Sequence, residues 1–434
     1  MNPEFQRNLW LEAAPQRLAW AAVALASVYG GAILMNDHRP LQGLGIAGAV
    51  VFVVAGLLWG SRIAGRAVGD EVADRTWDFQ RLSALEPWAM TWGKLFGATS
   101  PSWVAALSGL FFVCLNALNG KGAPSALVVL IGGVAGAILL QGGSMAMALV
   151  GVRRARAEGR SAAFRFTFGG ILAVLVIASI VGRIVPTARM ADPGGVFGLF
   201  RSGDQSWWGL VTPAPWFTVL SIVAFAMWSL VAAWRLMRLE LQMRNAPWAW
   251  PGFILFAAFW AAGMASGGAA RWAAAGIVFA ACAYGGAFAD PADRLRLRRF
   301  GELLRQRRWT EAGYDLPAAL VPMLLATGAV VGVALSGSAV RPITPGAALA
   351  ALAFLVRDIG IVAFFRFGPR PRRGDFGAVI GLFLAYFLGG VVGGGLLTPN
   401  PADPLPSAAS GAVMAVIVWV FAWKRIGAPE RSLV

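Results

Sequence analysis

Histidine and cysteine are nearly missing from this chain, which has one His and two Cys in 434 residues. Cys114 and Cys282 both fall inside apolar runs, so there is no disulfide framework to read. His38 stands beside Asp37 in a short connecting loop, and a metal centre needs more ligands than that neighbourhood offers. Charge is scarce too: Asp, Glu, Lys and Arg make up 13% of the residues, against about a quarter in soluble globular domains. That deficit excludes an ordinary water-soluble enzyme. Acids are the scarcer sign, 21 against 37 Lys and Arg, leaving a formal charge of +16. A phosphate loop of the form G-x-x-x-x-G-K-[ST] is also lacking, because Gly93-Lys94 and Gly120-Lys121 both lack the upstream glycine.

What the chain has instead is apolar surface, 58% of its residues, together with 54 Gly. Long apolar runs with many small residues point to a polytopic helical membrane protein, in which small side chains let helices approach closely. Twelve runs qualify as spans, near 18–35, 42–60, 98–118, 124–150, 166–185, 214–234, 250–268, 272–289, 317–337, 345–365, 377–397 and 408–423. Only a few residues around Gly267, Gly268 and Arg271 separate the seventh from the eighth, which asks for a tight helical hairpin. The expected fold is all-α, a polytopic membrane protein of about 12 transmembrane helices in two six-helix halves.

The basic charge then has a topological reading. With the N-terminus inside, the outer side holds Arg39, Lys121, Arg183, Arg189, Arg201, Arg271 and Arg341, leaving 30 of the 37 Lys and Arg inside. This split leaves no folded basic domain for nucleic acid, and both termini are expected to be cytoplasmic. Arg7, Glu12 and Arg17 precede the first run with no convincing cleavage site, so this end is expected to be retained rather than removed.

The chain divides near residue 245, where the polar linker 235–251 is broken by Pro247 and Pro251. The expected domains are 1–16, an interfacial amphipathic helix carrying Phe5, Leu9, Trp10 and Leu11; 17–245, a six-helix domain; and 246–434, a second six-helix domain. Both halves place a long segment after their first pair of spans, 61–97 and 290–316, a plan compatible with a diverged repeat.

The segment 62–97 is the most informative. Asp70, Glu71, Asp74 and Asp78 lie within nine residues, interleaved with Arg66, Arg75 and Arg81. Helical spacing sets Glu71 beside Arg75 and Asp78 beside Arg81, with Trp77 and Leu82 on a narrow apolar side. Pro87 is expected to interrupt the helix, with Trp88 and Trp92 as boundary anchors before Lys94. The pattern alone is compatible with an ordinary amphipathic loop helix.

The run Leu82-Ser83-Ala84-Leu85-Glu86-Pro87-Trp88, followed by Gly93-Lys94-Leu95, resembles the L-T-P-L-S-P-W … G-K-L signature of ABC-2-type ABC transporter permeases. Glu71 and Thr76 match the Glu and Thr that precede it in that family, and the opening Met1-Asn2-Pro3 with its amphipathic stretch is similar as well. Arg75 stands where the family usually has Gly, and Ala84 and Glu86 replace a Pro and a Ser. The resemblance covers about residues 1–245. It implies a bacterial inner-membrane permease subunit, with an exporter as the expected direction. Such a subunit performs no catalysis of its own and holds no cofactor, and ATP and Mg reside on a separate nucleotide-binding ATPase subunit. A coupling helix at about 63–83 would meet that partner through Glu71, Thr76, Trp77, Asp78 and Arg81. It also implies that the outer loop 186–213 folds as short re-entrant or surface helices. Further expected partners are membrane lipid and either a second copy or additional membrane subunits.

Residues 290–316 carry seven arginines around Leu295, Leu303 and Leu304, which suits a basic helix on anionic lipid or a second docking helix. Ionisable groups inside spans are few. Arg357 and Asp358 stand toward the inner end of the tenth and Asp290 at the inner end of the eighth, and no acid is placed mid-span. That argues against an ion-coupled secondary carrier; a non-transporting membrane scaffold is the other class that fits. Asn116 and Gln141 are expected to form interhelical hydrogen bonds, and Gly132, Gly136, Gly389, Gly390, Gly393 and Gly394 to mark close helix packing.

Overall fold

The computed structural model describes residues 2–12, 15–36, 38–74, 76–77, 85–157, 203–336, 344–368, 374–392 and 404–427. The fifth expected span, most of the outer loop 186–213, and Asp78, Arg81, Gly393 and Gly394 lie outside these residues. Helix α1 covers Pro3–Glu12, α2 Pro15–Met35 and α3 Pro40–Ala73, the last with a π-helical stretch at Phe52–Trp59. After α4 (Pro87–Trp92) and a π turn at Gly93–Gly97 come α5 (Ser100–Lys121) and α6 (Ala123–Ala157). The second part contains α7 (Ala214–Glu240), α8 (Ala249–Gly263), α9 (Gly268–Ala289) and the short α10 (Arg294–Arg305) and α11 (Trp309–Tyr314). It closes with α12 (Leu320–Leu335), α13 (Pro345–Arg366), α14 (Gly374–Val392) and α15 (Pro404–Gly427).

Seven of these helices are long and apolar enough to cross a bilayer: α3, α5, α6, α7, α9, α13 and α15. Shorter apolar helices fall on the other expected spans within the described residues, and the chain is a multi-pass membrane protein. The seventh and eighth spans meet in the expected tight hairpin, where Gly267 takes φ +87° to reverse the chain.

Two expectations about shape are corrected. Residues 62–73 are not a separate loop helix: α3 continues unbroken through the second span to Ala73, and Pro87 starts α4 at its first turn rather than interrupting a helix. Residues 204–213 are not helical either. They form an antiparallel hairpin, β1 (Asp204–Trp207) with β2 (Leu210–Pro213), turning through Trp208 and Gly209, both at positive φ. Its tryptophans face the end of α8: the Trp208 backbone N–H donates to Gly263 O (2.9 Å) and the Trp207 indole to Trp260 O (3.0 Å). These bonds satisfy carbonyls that the last turn of α8 leaves open.

The cations of the basic face have local work as well as a topological one. Arg294 donates to Phe367 O (2.6 Å), Arg425 to Phe364 O (3.0 Å), Arg298 to Gly427 O (3.2 Å) and Arg366 to Asp290 O (2.5 Å). The carboxyl ends of α9, α13 and α15 are thereby capped by arginines, which the helix dipole favours. Asp290 accepts from Arg296 (2.9 Å) and from the Ala318 N–H (2.7 Å). Residues 290–316 are thus tied into their own half by main-chain capping. Across the halves on the same face, Arg154 of α6 pairs with Asp375 of α14.

Close packing occurs at particular glycines, not at every small-residue repeat. A Cβ at Gly48 would lie 2.5 Å from Gly109 O, and one at Gly109 would lie 2.5 Å from Gly48 O, so α3 and α5 touch backbone to backbone. Gly136 has nothing within 4 Å. Gly48→Ala should therefore lower stability in detergent by about 1–3 kcal/mol through overpacking. Gly69→Ala, at a site on α3 with open space around it, should be neutral or slightly stabilising because alanine is the better helix former. Thermal unfolding of the two variants checks the contrast. Gln141 makes the expected interhelical bond, donating from buried Nε2 to Gly56 O (3.0 Å) in the π-helical stretch of α3. Asn116 stands beside Gly45 of α3.

Candidate functional site

Three stretches separated in sequence meet on the basic face: the start of the chain, the end of α3 and the π turn after α4. The opening Asn2-Pro3-Glu4 is a helix start. Asn2 Oδ1 accepts from the Glu4 N–H (3.0 Å), Pro3 occupies the first turn, and Asn2 Nδ2 reaches across to Ala89 O (2.6 Å). This capping fixes α1 against α4. Its crossing point is the glycine-lysine segment itself. A Cβ at Gly93 would sit 2.7 Å from Glu4 Cβ, and one at Gly97 would sit 2.9 Å from Asn8 Cβ, so only glycine lets α1 lie this close.

At that crossing four charges close into a ring. Lys94 Nζ donates to Glu4 Oε1 (2.9 Å) and to Glu71 Oε2, Arg7 donates to Glu71 Oε1 (2.6 Å), and Arg7 also reaches Glu4 Oε1 (3.2 Å). Asn8 Nδ2 adds a bond to Glu4 Oε1 at 3.1 Å. The side chains of Lys94 and Glu4 are 1% and 5% exposed, that of Glu71 17%, and that of Arg7 43%. Lys94 also stands 5.3 Å from the centroid of the Trp77 ring, a cation–π contact shielded from water. Two acids and two bases balance, which is what allows a lysine to be buried here at all.

Beneath the ring lies a continuous apolar cluster. Trp77, Met90 and Leu95 pack against Ala64 and Val68 of α3, Met145 and Leu149 of α6, and Ala233 and Met237 of α7. A displacement of the 62–77 stretch is therefore transmitted to three spanning helices at once, because a close-packed interior resists compression.

The sequence-derived site residues divide clearly. Glu71 is in the ring. Thr76 is exposed, with its hydroxyl donating to Glu71 O (3.2 Å), and the neighbouring carboxylates Asp70 and Asp74 are exposed as well. Trp77 is 1% exposed and faces the core, so its ring holds the segment in place from below. Asp78 and Arg81 lie outside the described residues. Sequence reasoning missed Glu4, Arg7 and Lys94 as partners of Glu71. The available signal was unmatched charge flanking otherwise apolar segments, which must find an opposite charge if the flanks fold together.

A second ionic cluster sits deeper, in α13. Arg357 and Asp358 are both fully buried. Asp358 Oδ1 accepts from Arg357 Nε (2.8 Å), and Oδ2 accepts from the hydroxyls of Tyr284 in α9 and Tyr386 in α14, each at 2.6 Å. Asp358 lies about 12 Å of helix rise from the Arg366 end of α13. Among the described residues, no group of three or more His, Cys, Asp or Glu could hold a metal ion. No protein-family model, no curated protein and no solved structure matches this chain.

Proposed function

We propose that the chain is the membrane permease subunit of an ATP-driven transporter of the ABC-2 type, an exporter, coupled to a separate ATPase subunit at the face carrying the ion ring. In this reading that face is cytoplasmic, the membrane is a bacterial inner membrane, and the twelve spans form two six-helix domains. The observation that supports it is the ring. Three of the places where the sequence resembles these permeases are the Met1-Asn2-Pro3 opening, Glu71 and Gly93-Lys94-Leu95. All three are joined through Lys94, Glu4 and Glu71 over a core shared by α3, α6 and α7. The partner would meet the exposed Asp70, Asp74 and Thr76, while Trp77 and Lys94 hold the segment rigid below it.

An ion-coupled carrier would need a membrane-embedded acid free to exchange its ion. Asp358 does not suit that task, because an arginine and two tyrosine hydroxyls already occupy its oxygens. The reading is tested by Asp74→Arg/Thr76→Arg, which changes exposed positions only. A phosphate-loop ATPase should co-purify with the wild-type chain from its native membrane. The double variant should retain at least about tenfold less, since like charges set against a complementary surface cost several kcal/mol. Equal retention at an unchanged unfolding temperature would sink the assignment.

A further inference from the structure

Midway along α3, the π-helical stretch Phe52–Trp59 lies against a buried side chain that is only half satisfied. The Gly60 N–H reaches five residues back, to Ala55 O, where an α-helix would take Gly56 O. Gly56 O is held instead by Gln141 Nε2 of α6 (3.0 Å), and the Ser61 hydroxyl donates to Leu57 O. Gln141 is 1% exposed, and its Oε1 has no donor among the described residues. A buried amide oxygen without a partner is costly, the more so within a span. The contact face of α3 is smooth at this level. A Cβ at Gly56 would lie 2.8 Å from Ala106 Cβ, and one at Gly60 would lie 2.4 Å from Gln141 Nε2 and 2.8 Å from the Ser102 hydroxyl. At both positions α3 presents backbone to α5 and α6, so no side chain there locks it against turning about its axis.

Gln141 and the α-helical hydrogen bond thus compete for one oxygen. We propose that Phe52–Trp59 is a register switch, held in its π form by Gln141 and able to pass to an α form in which the Gly60 N–H takes Gly56 O. A π turn holds one residue more than an α turn, so the change rotates Gly60–Ala73 by about 100°, one residue's share of a 3.6-residue turn. The rotation carries Val68 out of the core it shares with α6 and α7, and Glu71 away from Lys94. Lys94 and Arg7 keep Glu4 as a partner (2.9 and 3.2 Å), so neither cation is stranded. The other connection into the ring is built alike, since Lys94 itself stands in the second π turn, Gly93–Gly97. With Oε1 unsatisfied, the Gln141 latch is one hydrogen bond deep, which keeps the second register within reach. Only contacts within this chain enter, with no partner ATPase, so the switch stands or falls separately from the functional reading above.

The test is maleimide labelling of Val68→Cys in the full-length chain in lipid nanodiscs, with Cys114 and Cys282 replaced by alanine. Val68 is 0% exposed, so a thiol there reacts only when α3 turns. Gln141→Met removes the latch at nearly the same length and should speed labelling about fivefold, one net hydrogen bond expressed as population. Deleting Val54, an exposed residue of the stretch, leaves an unbroken α-helix with Gly60–Ala73 on its present face. Labelling should then fall at least about tenfold, with or without Gln141→Met, because the second register is gone. Leu149→Cys, in the same core but on α6, reports loosening of the whole bundle and should respond to neither change. Labelling of Val68→Cys that ignores Gln141→Met, or that rises in step with Leu149→Cys, would overturn the switch. So would undiminished labelling after the deletion, and the Gln141→Met comparison decides alone if the shortened chain fails to fold.

Discussion

Lys94→Met should destabilise the protein by about 3–5 kcal/mol, the largest single effect expected on the basic face. Removing one partner of a buried ion pair leaves the other charge without compensation in a medium that cannot solvate it. Here the loss leaves two carboxylates, Glu4 and Glu71, facing each other over Trp77, with Arg7 as the remaining cation of the ring. Arg7 is 43% exposed and its contribution is screened by water, so it does not replace Lys94. Methionine keeps most of the volume, which isolates the charge from the cavity term. Glu4→Gln/Lys94→Met should recover part of the loss, because one of the stranded charges goes with it. A double-mutant cycle on thermal or denaturant unfolding in detergent measures that coupling. Additive effects of the two substitutions would mean that the ring carries no shared energy.

Asp358→Leu should cost a similar amount, about 3–5 kcal/mol, for the same reason at a different depth. It takes the carboxylate from Arg357, which is fully buried, and the acceptor from two tyrosine hydroxyls at once. Arg357→Leu/Asp358→Leu should be markedly less damaging than Asp358→Leu alone, since apolar replacement of a whole buried pair is often neutral. Tyr386→Phe should lose about 1.5–3 kcal/mol, one hydrogen bond to a charged group. The gradient among these variants identifies the cluster as glue between α9, α13 and α14. An Asp358→Leu protein as stable as wild type would show that the cluster contributes nothing to holding these helices together.

The apolar helices were legible because runs of this length with so few charges leave little freedom. The tight turn at Gly267 was legible because two full spans had to share a few residues. The joint on the basic face was half legible. Asn2, Glu71 and Gly93-Lys94 each drew attention locally, but their meeting is tertiary, and nothing in the spacing of Glu4 and Lys94 announces a contact across 90 residues. Trp77 looked like a surface side chain of an amphipathic helix. It is buried because α3 ends at Ala73 and the chain turns back over its own core. The hairpin at 204–213 went unseen because its alternation is short and its tryptophans read equally as interfacial anchors. The arginines of 290–316 read as a lipid-facing or docking helix. Two of them, Arg294 and Arg298, instead cap helix ends supplied by segments up to 129 residues away, a use that no local pattern carries.

The central claim is that this chain transmits the work of a separate ATPase through the 62–77 stretch. The most direct measurement is the ATP hydrolysis rate of the co-purified ATPase in lipid nanodiscs, with the wild-type chain and with Asp74→Arg/Thr76→Arg. The account predicts turnover that depends on the presence of the wild-type chain and falls to the level of the isolated ATPase with the variant. A wild-type chain that brings no ATPase out of its native membrane, or turnover indifferent to the variant, would contradict it.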